Sequence, residues 1–238
     1  MAFYNAYNFL KRTLYDYRGI DGTGTASSPA TGSNQVSYVI RKLADGNCWM
    51  SENLKLTLST SHSYEVATFS GGTASWIPNE DILSDSPYNI AISKNTIADD
   101  ATTGEWYYPW YAATAGQGTN DVNPTISQSI CPKGWKLPNG GTDAAPSFQS
   151  LATTYSIGNN AAGSTKLQST PLSFHIAGYY ATSGLLNSST VGIYWSASPY
   201  VGNNKTAYSL ELGGVSANFQ YTAIYKPNGF TVRCVTIL

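Results

Sequence analysis

Few residues in this 238-residue chain carry groups that could do covalent chemistry, and their spacing supports none of it. There are only two histidines. His62 sits in a polar loop, and His175 lies between Phe174 and Ile176, so in a strand its ring points away from both. A cysteine nucleophile would need Cys131 or Cys234 beside His175, and no local pattern brings them together. The acidic pairs Glu80-Asp81 and Asp99-Asp100, and the Asn120-Asp121 step, read as solvated turns. Asn79-Glu80-Asp81 and Asn120 to Asn123 could offer oxygens to Ca²⁺, which takes six to eight, yet their spacing completes no loop. A glycosidase would need two carboxylates set across a cleft, which nothing in the sequence suggests. Nucleophile-elbow, phosphate-loop, zincin and EF-hand signatures are absent. The reading is a non-enzyme, with no catalytic residues, no metal and no cofactor.

Composition points the same way. Charged residues make up 11% of the chain, against about 25% in an ordinary domain. Thirteen basic and 14 acidic residues leave a net charge of -1, which excludes nucleic-acid binding through a broad basic surface. With 42% hydrophobic and 13% aromatic residues the chain can form a core. Its 18 tyrosines and abundant Ser, Thr and Asn suit loops and binding surfaces better than helices. No apolar run approaches the ~20 residues of a membrane span, and Met1 to Asn5 has no signal-peptide character. Three cysteines, Cys48, Cys131 and Cys234, lie far apart without zinc spacing. One long-range disulfide plus a buried thiol, or three buried thiols, both satisfy the count.

The elements that must position any site read as α+β, with few helices, short antiparallel strands and long ordered loops. Phe3, Tyr7, Leu10 and Leu14 fall on one helical face, so the spacing predicts an N-terminal helix, followed by a Gly/Ser/Thr/Pro-rich loop to residue 36. Ser37 to Leu43 alternates and is β-branched, and Ala44-Asp45-Gly46-Asn47 turns it into Cys48-Trp49-Met50, a hairpin. Residues 57–125 form a long insert with little period. Trp76, Trp106, Tyr107, Tyr108, Trp110 and Tyr111 read there as core anchors rather than as a stacking platform. Ser147 to Tyr155 reads as a helix. Strands are predicted at 174–181, 192–197, 206–212 and 230–235, and no composition break divides the 1–238 domain.

Three patches carry a resemblance: Tyr38 to Leu54, Ile130 to Pro138, and Tyr194-Trp195-Ser196 together with Gly229 to Val235. In this order they resemble the Fibrobacter succinogenes major paralogous domain, a family similar in fold to C-type lectins and to formylglycine-generating-enzyme-like proteins. The likeness runs from Tyr38 to Val235 and leaves residues 1–36 outside it. It implies a C-type-lectin-like fold and a ligand-binding role, as in the variable proteins of diversity-generating retroelements. In those, a C-terminal stretch corresponding here to 192–235 is rewritten on a fixed backbone. The resemblance further implies that Cys131 and Cys234 approach each other. The calcium-linked Glu-Pro-Asn and Trp-Asn-Asp tripeptides of sugar-binding C-type lectins are missing.

On this reading Ala207, Tyr208, Leu210, Leu212, Gly213 and Gly214 are inward framework. The ligand-binding set is Tyr200, Val201, Asn203, Asn204, Ser209, Glu211, Phe219, Gln220, Tyr221, Ile224 and Tyr225. The expected partner is a protein or surface glycan, met at a cell surface or virus particle, with neither nucleic acid nor membrane insertion involved. The alternatives are an enzyme of the formylglycine-generating or glycan-processing type, using carboxylates of the insert, and a structural adhesion module.

Overall fold

The computed structural model describes residues 11–59, 61–78, 97–100, 104–118, 124–181, 183–214 and 216–236, with 97–100 and 219–224 described by backbone alone. In chain order the first elements are β1 (Lys11–Asp16), β2 (Val36–Lys42), β3 (Cys48–Met50), β4 (Tyr64–Thr68), β5 (Thr73–Trp76), β6 (Ile97–Asp100) and β7 (Glu105–Tyr107). A one-turn helix α1 (Trp110–Ala113) precedes β8 (Gln128–Ser129), β9 (Trp135–Lys136), and helices α2 (Phe148–Thr154) and α3 (Ala161–Gln168). The remainder is β10 (Tyr179–Ala181), β11 (Gly184–Leu186), β12 (Val191–Pro199), β13 (Thr206–Gly213), β14 (Ala217–Tyr225) and β15 (Val235–Thr236). The strand pairs are antiparallel, so the α+β class holds: many short strands and, among the described residues, three short α-helices and one 3-10 turn (Gly32–Asn34).

The largest sheet runs β1-β2-β3-β15-β9 and therefore joins the beginning of the described chain to its end. Its β2–β3 hairpin forms as the alternation predicts, with Ile40 opposite Met50 and Lys42 opposite Cys48. The Asp45 carboxylate holds the turn by accepting from the Asn47 amide (3.0 Å) and the Trp49 indole (2.8 Å). The N-terminal helix prediction fails where it can be checked. Residues 11–14 belong to a strand that pairs with β2 from Lys11↔Arg41 to Asp16↔Val36, while 1–10 lie outside the described residues. Long-range pairing overrides a local period of about 3.6 here: Leu14 packs on the core and Tyr15, 66% exposed, faces out. Buried Asp16 closes the strand by a two-point contact with Arg18 at 2.7 and 2.9 Å. Arg18 then reaches the carbonyls of Glu65 and Ile130, both at 3.0 Å, and ties β1 to β4 and to the segment after β8. Burial opposes its charge, but the adjacent Asp16 carboxylate outweighs that and raises its proton affinity.

The second sheet, β12-β13-β14, separates two apolar clusters. Along β12, Ile193, Trp195 and Ala197 face the cluster built on the aromatic insert, whereas Tyr194 faces the cluster under α2 and α3. Trp106, Tyr107, Tyr108, Trp110 and Tyr111 are buried, as core anchoring requires. Their polar ends are bonded too. The Tyr108 hydroxyl receives the Leu56 N–H (2.8 Å) and donates to the Leu56 carbonyl (3.0 Å), and the Trp110 indole donates to the Ser196 carbonyl (2.8 Å). Helix α2 forms within the predicted 147–155 stretch, and the structure adds a capping box at Ser147. Cys131 and Cys234 form a disulfide and Cys48 is free. Two predicted strands shrink. Only Tyr179–Ala181 of 174–181 pairs in a ladder, and residues 230–231 make isolated bridges before β15.

Candidate functional site

At one end of the second sheet, the chain between β12 and β13 forms a short loop whose backbone is thoroughly bonded. Tyr200 N–H donates to the Thr206 carbonyl (3.1 Å), Asn203 N–H to Tyr200 (3.2 Å), and Thr206 N–H back to Asn203 (3.0 Å). The Asn203 side chain accepts from the Lys205 N–H at 3.0 Å. From β14's end, Lys226 donates through its main chain to the Lys205 carbonyl (3.0 Å) and through its ammonium to the Asn204 carbonyl. That ammonium is buried, 4.7 Å from the centre of the Trp110 ring. The backbone is therefore fixed from beneath while side chains project: Val201 is 82% exposed, and Gly202, Asn203 and Asn204 are exposed beside it. Tyr225, 37% exposed, is opposite Thr206 on the neighbouring strand.

Next to the loop lies an open cleft of about 650 Å³, within the range of small-ligand sites. Val201, Tyr208 and Ser198 form one wall, Asn139, Thr142 and Asp143 another, and Lys136, Phe69 and Ile126 a third. The wall at 138–144 is bonded to β12. Ala197 N–H donates to the Pro138 carbonyl (2.8 Å), Gly140 N–H to the Ser198 hydroxyl (2.9 Å), and that hydroxyl to the Asp143 carboxylate. Two glycines let this backbone lie against the Tyr208 ring. A Cβ at Gly140 would stand 2.3 Å from the Ser196 hydroxyl and 2.5 Å from Tyr208 Cβ, and Gly141 has φ of +60° with the ring 2.8 Å from where its Cβ would be. Tyr200 meets Tyr208 edge-on, centroids 5.4 Å apart. Burial, then Tyr200 and Asp143 nearby, holds the Tyr208 phenol above its ordinary range, and burial pulls the Lys136 ammonium below its own.

The sequence-predicted residues divide. Val201, Asn203, Asn204 and Tyr225 come together on the exposed edge, with half-buried Tyr200 against Tyr208. Glu211 is half-buried at mid-strand, opposite Ile193 and Asn218, and burial raises its carboxyl above the usual range. Ser209 is corrected: it is completely buried. It lies in the central strand β13 of a sheet that has an apolar cluster on each face, so the face that alternation gives it is closed to solvent. The side chains of Phe219, Gln220, Tyr221 and Ile224 lie outside the described residues, although their backbone belongs to β14. Two framework assignments also change. Tyr208 is half-buried and lines the cleft, and Gly214 is exposed.

Lys136, Asp143 and Tyr208 were not singled out as ligand-binding by sequence reasoning. Lys136 sits inside the Ile130 to Pro138 patch, which reads as framework, and the usable signal was the Asn139-Gly140-Gly141-Thr142-Asp143 turn, dense in glycine and ending in an acid. His175 does find a hydrogen-bond partner. Its Nδ1 lies 2.9 Å from Glu105 Oε1, and Glu105 Oε2 accepts from the Asn53 amide at 2.9 Å. Neither His175 nor Glu105 lines the cleft. Among the described residues no three His, Cys, Asp or Glu side chains converge as metal ligands, and no helix is long and apolar enough to cross a membrane. No family model, no curated protein and no solved structure matches this chain.

Proposed function

We propose that this chain is a ligand-binding module with a C-type-lectin-like scaffold, the variable protein of a diversity-generating retroelement, displayed on a cell surface or virus particle. The observation that carries the reading is the loop 200–205: its main chain is bonded at Tyr200 and from Asn203 to Lys205, while residues 201–204 are exposed. Such a platform lets side chains be exchanged without disturbing the fold, because surface substitutions away from packed or bonded groups change stability by only about 0.5 kcal/mol. The sheet that holds both β1 and β15, and the buried Trp110 ring under Lys226, supply the rigid frame that this use requires. The partner is a protein or a surface glycan. With a net charge of -1 the surface offers little long-range steering, so association proceeds at ordinary rates that depend weakly on salt.

Tyrosines supply large contact area with few rotors to freeze, which is why they act as anchors in binding surfaces. Tyr221→Ala and Tyr225→Ala are expected to weaken capture of the chain's cell-surface ligand at least about tenfold. The midpoint of thermal unfolding should move by less than about 2 °C, the shift of a surface substitution in a chain this long. Surface plasmon resonance against the ligand-bearing cells' membrane extract, paired with calorimetry, reads both. A Tyr225→Ala protein that loses several degrees of stability places that ring in the core and contradicts the reading.

A further inference from the structure

We propose that the cleft between the 138–144 turn and β12 binds an acidic saccharide, with Lys136 taking the sugar's carboxylate and Asp143 and Asn139 its hydroxyls. The inference rests on the reading of this chain as a binding module and names a ligand class for the cleft beside its display edge.

Three features select that chemistry. Lys136 is the cleft's one cation among the described residues. Its ammonium lies 5.2 Å from the centre of the Phe69 ring, and no carboxylate or carbonyl among the described residues accepts from it. Burial partly strips that charge of water and leaves it the Phe69 ring for company, a situation that an incoming anion relieves. Asp143 is held in place by the Ser198 hydroxyl on one oxygen, so the carboxylate is oriented before any ligand arrives. The walls then present hydroxyl, amide and aromatic groups, at Thr142, Asn139 and Tyr208. Vicinal sugar hydroxyls can donate to Asp143 while the apolar C–H face of the ring lies on an aromatic side chain. A phosphate, recognised best by several cations or a guanidinium fork, would find a single lysine and no arginine among the described residues that line the cleft. A divalent cation would find one carboxylate where six to eight oxygens are wanted. At about 650 Å³ and open to solvent, the cleft has room for a sugar unit with its chain leaving on either side.

Isothermal titration at low salt tests the assignment, using trigalacturonate and its fully methyl-esterified form as probes. The parent protein is expected to bind the acid, with the ester weaker by at least about tenfold, and Lys136→Gln to lose a similar factor. Asp143→Asn should weaken both probes, and Tyr225→Ala neither. Absence of binding to the parent, equal affinity for acid and ester, or a folded Lys136→Gln protein that binds like the parent overturns the assignment. So does Lys136-dependent binding of trialanine in place of the sugar, which would make the cleft a peptide-terminus site. Acid against ester on the unaltered protein decides the matter even if Lys136→Gln fails to fold. Failure here leaves the display edge standing, because ligand capture through Tyr221 and Tyr225 is a separate readout.

Discussion

Arg233→Ala is expected to lower the free energy of unfolding by about 3–5 kcal/mol, the loss seen when one partner of a buried charged network is removed. The Arg233 guanidinium is completely buried and donates to Asn53 Oδ1 twice (3.0 and 2.7 Å) and to the carbonyls of Met50 (3.2 Å), Leu172 (3.3 Å) and Ser173 (3.2 Å). It also lies over the Phe174 and Tyr194 rings, 4.7 and 5.5 Å from their centroids. Burial lowers its proton affinity, but a guanidinium keeps its proton at any accessible pH, so the charge stays and must be matched. The Asn53 amide relays the contact to Glu105. Truncation thus orphans carbonyls from two separate segments and leaves a carboxylate with one fewer counter-charge. Lysine should not rescue, since a point charge cannot serve five acceptor contacts spread over a planar fork. Equilibrium denaturation in urea checks this, and a loss below about 1 kcal/mol would show that the network is dispensable.

Breaking the Cys131–Cys234 bond is expected to be about as damaging. The two cysteines are separated by 103 residues. Closing a loop of that length removes enough freedom from the unfolded chain to stabilise the fold by about 4–5 kcal/mol on the chain-entropy account. Both cysteines are buried within the larger apolar cluster, so the double substitution Cys131→Ala and Cys234→Ala adds a modest cavity term. Cys48→Ala serves as the control, because its thiol is free and partly exposed. Denaturation midpoints of the oxidised protein and the double variant should separate widely while Cys48→Ala stays close to the parent. Coincident midpoints would contradict the expectation.

Much of this fold was legible where local chemistry and tertiary structure agree. The β2–β3 hairpin combines β-branched alternation with an Asp-Gly turn, and α2 was legible because Phe148, Leu151 and Tyr155 fall at helical spacing. The insert's aromatics were readable as anchors because an irregular chain must be pinned by something large. Residues 11–14 were misread because Leu14 completes a helical period with Phe3, Tyr7 and Leu10, while the register with β2 that decides 11–16 is set 20 to 30 residues away. Ser209 was misplaced for a related reason: strand alternation assigns it a face, but not whether that face is covered. The cleft was not read, although the glycine-dense Asn139 to Asp143 turn offered a signal for one of its walls. Phe69, Lys136, Asp143, Ser198 and Tyr208 come from distant stretches and share no spacing that sequence inspection could detect. The edge at 200–204 was legible through its glycine and asparagines, residues that favour turns.

Paired libraries test the central claim most directly. One randomises Val201, Asn203, Asn204 and Tyr225, and the other randomises buried Ala207, Ser209 and Leu210 of the same sheet. Both are displayed on yeast and scored for protease resistance, then for capture of a protein that the parent ignores, such as lysozyme. The account predicts that most members of the first library stay folded and that lysozyme-capturing clones emerge from it, while most of the second unfold. Widespread unfolding in the first library would mean that the exposed loop and its neighbour are part of the scaffold and not a recognition surface.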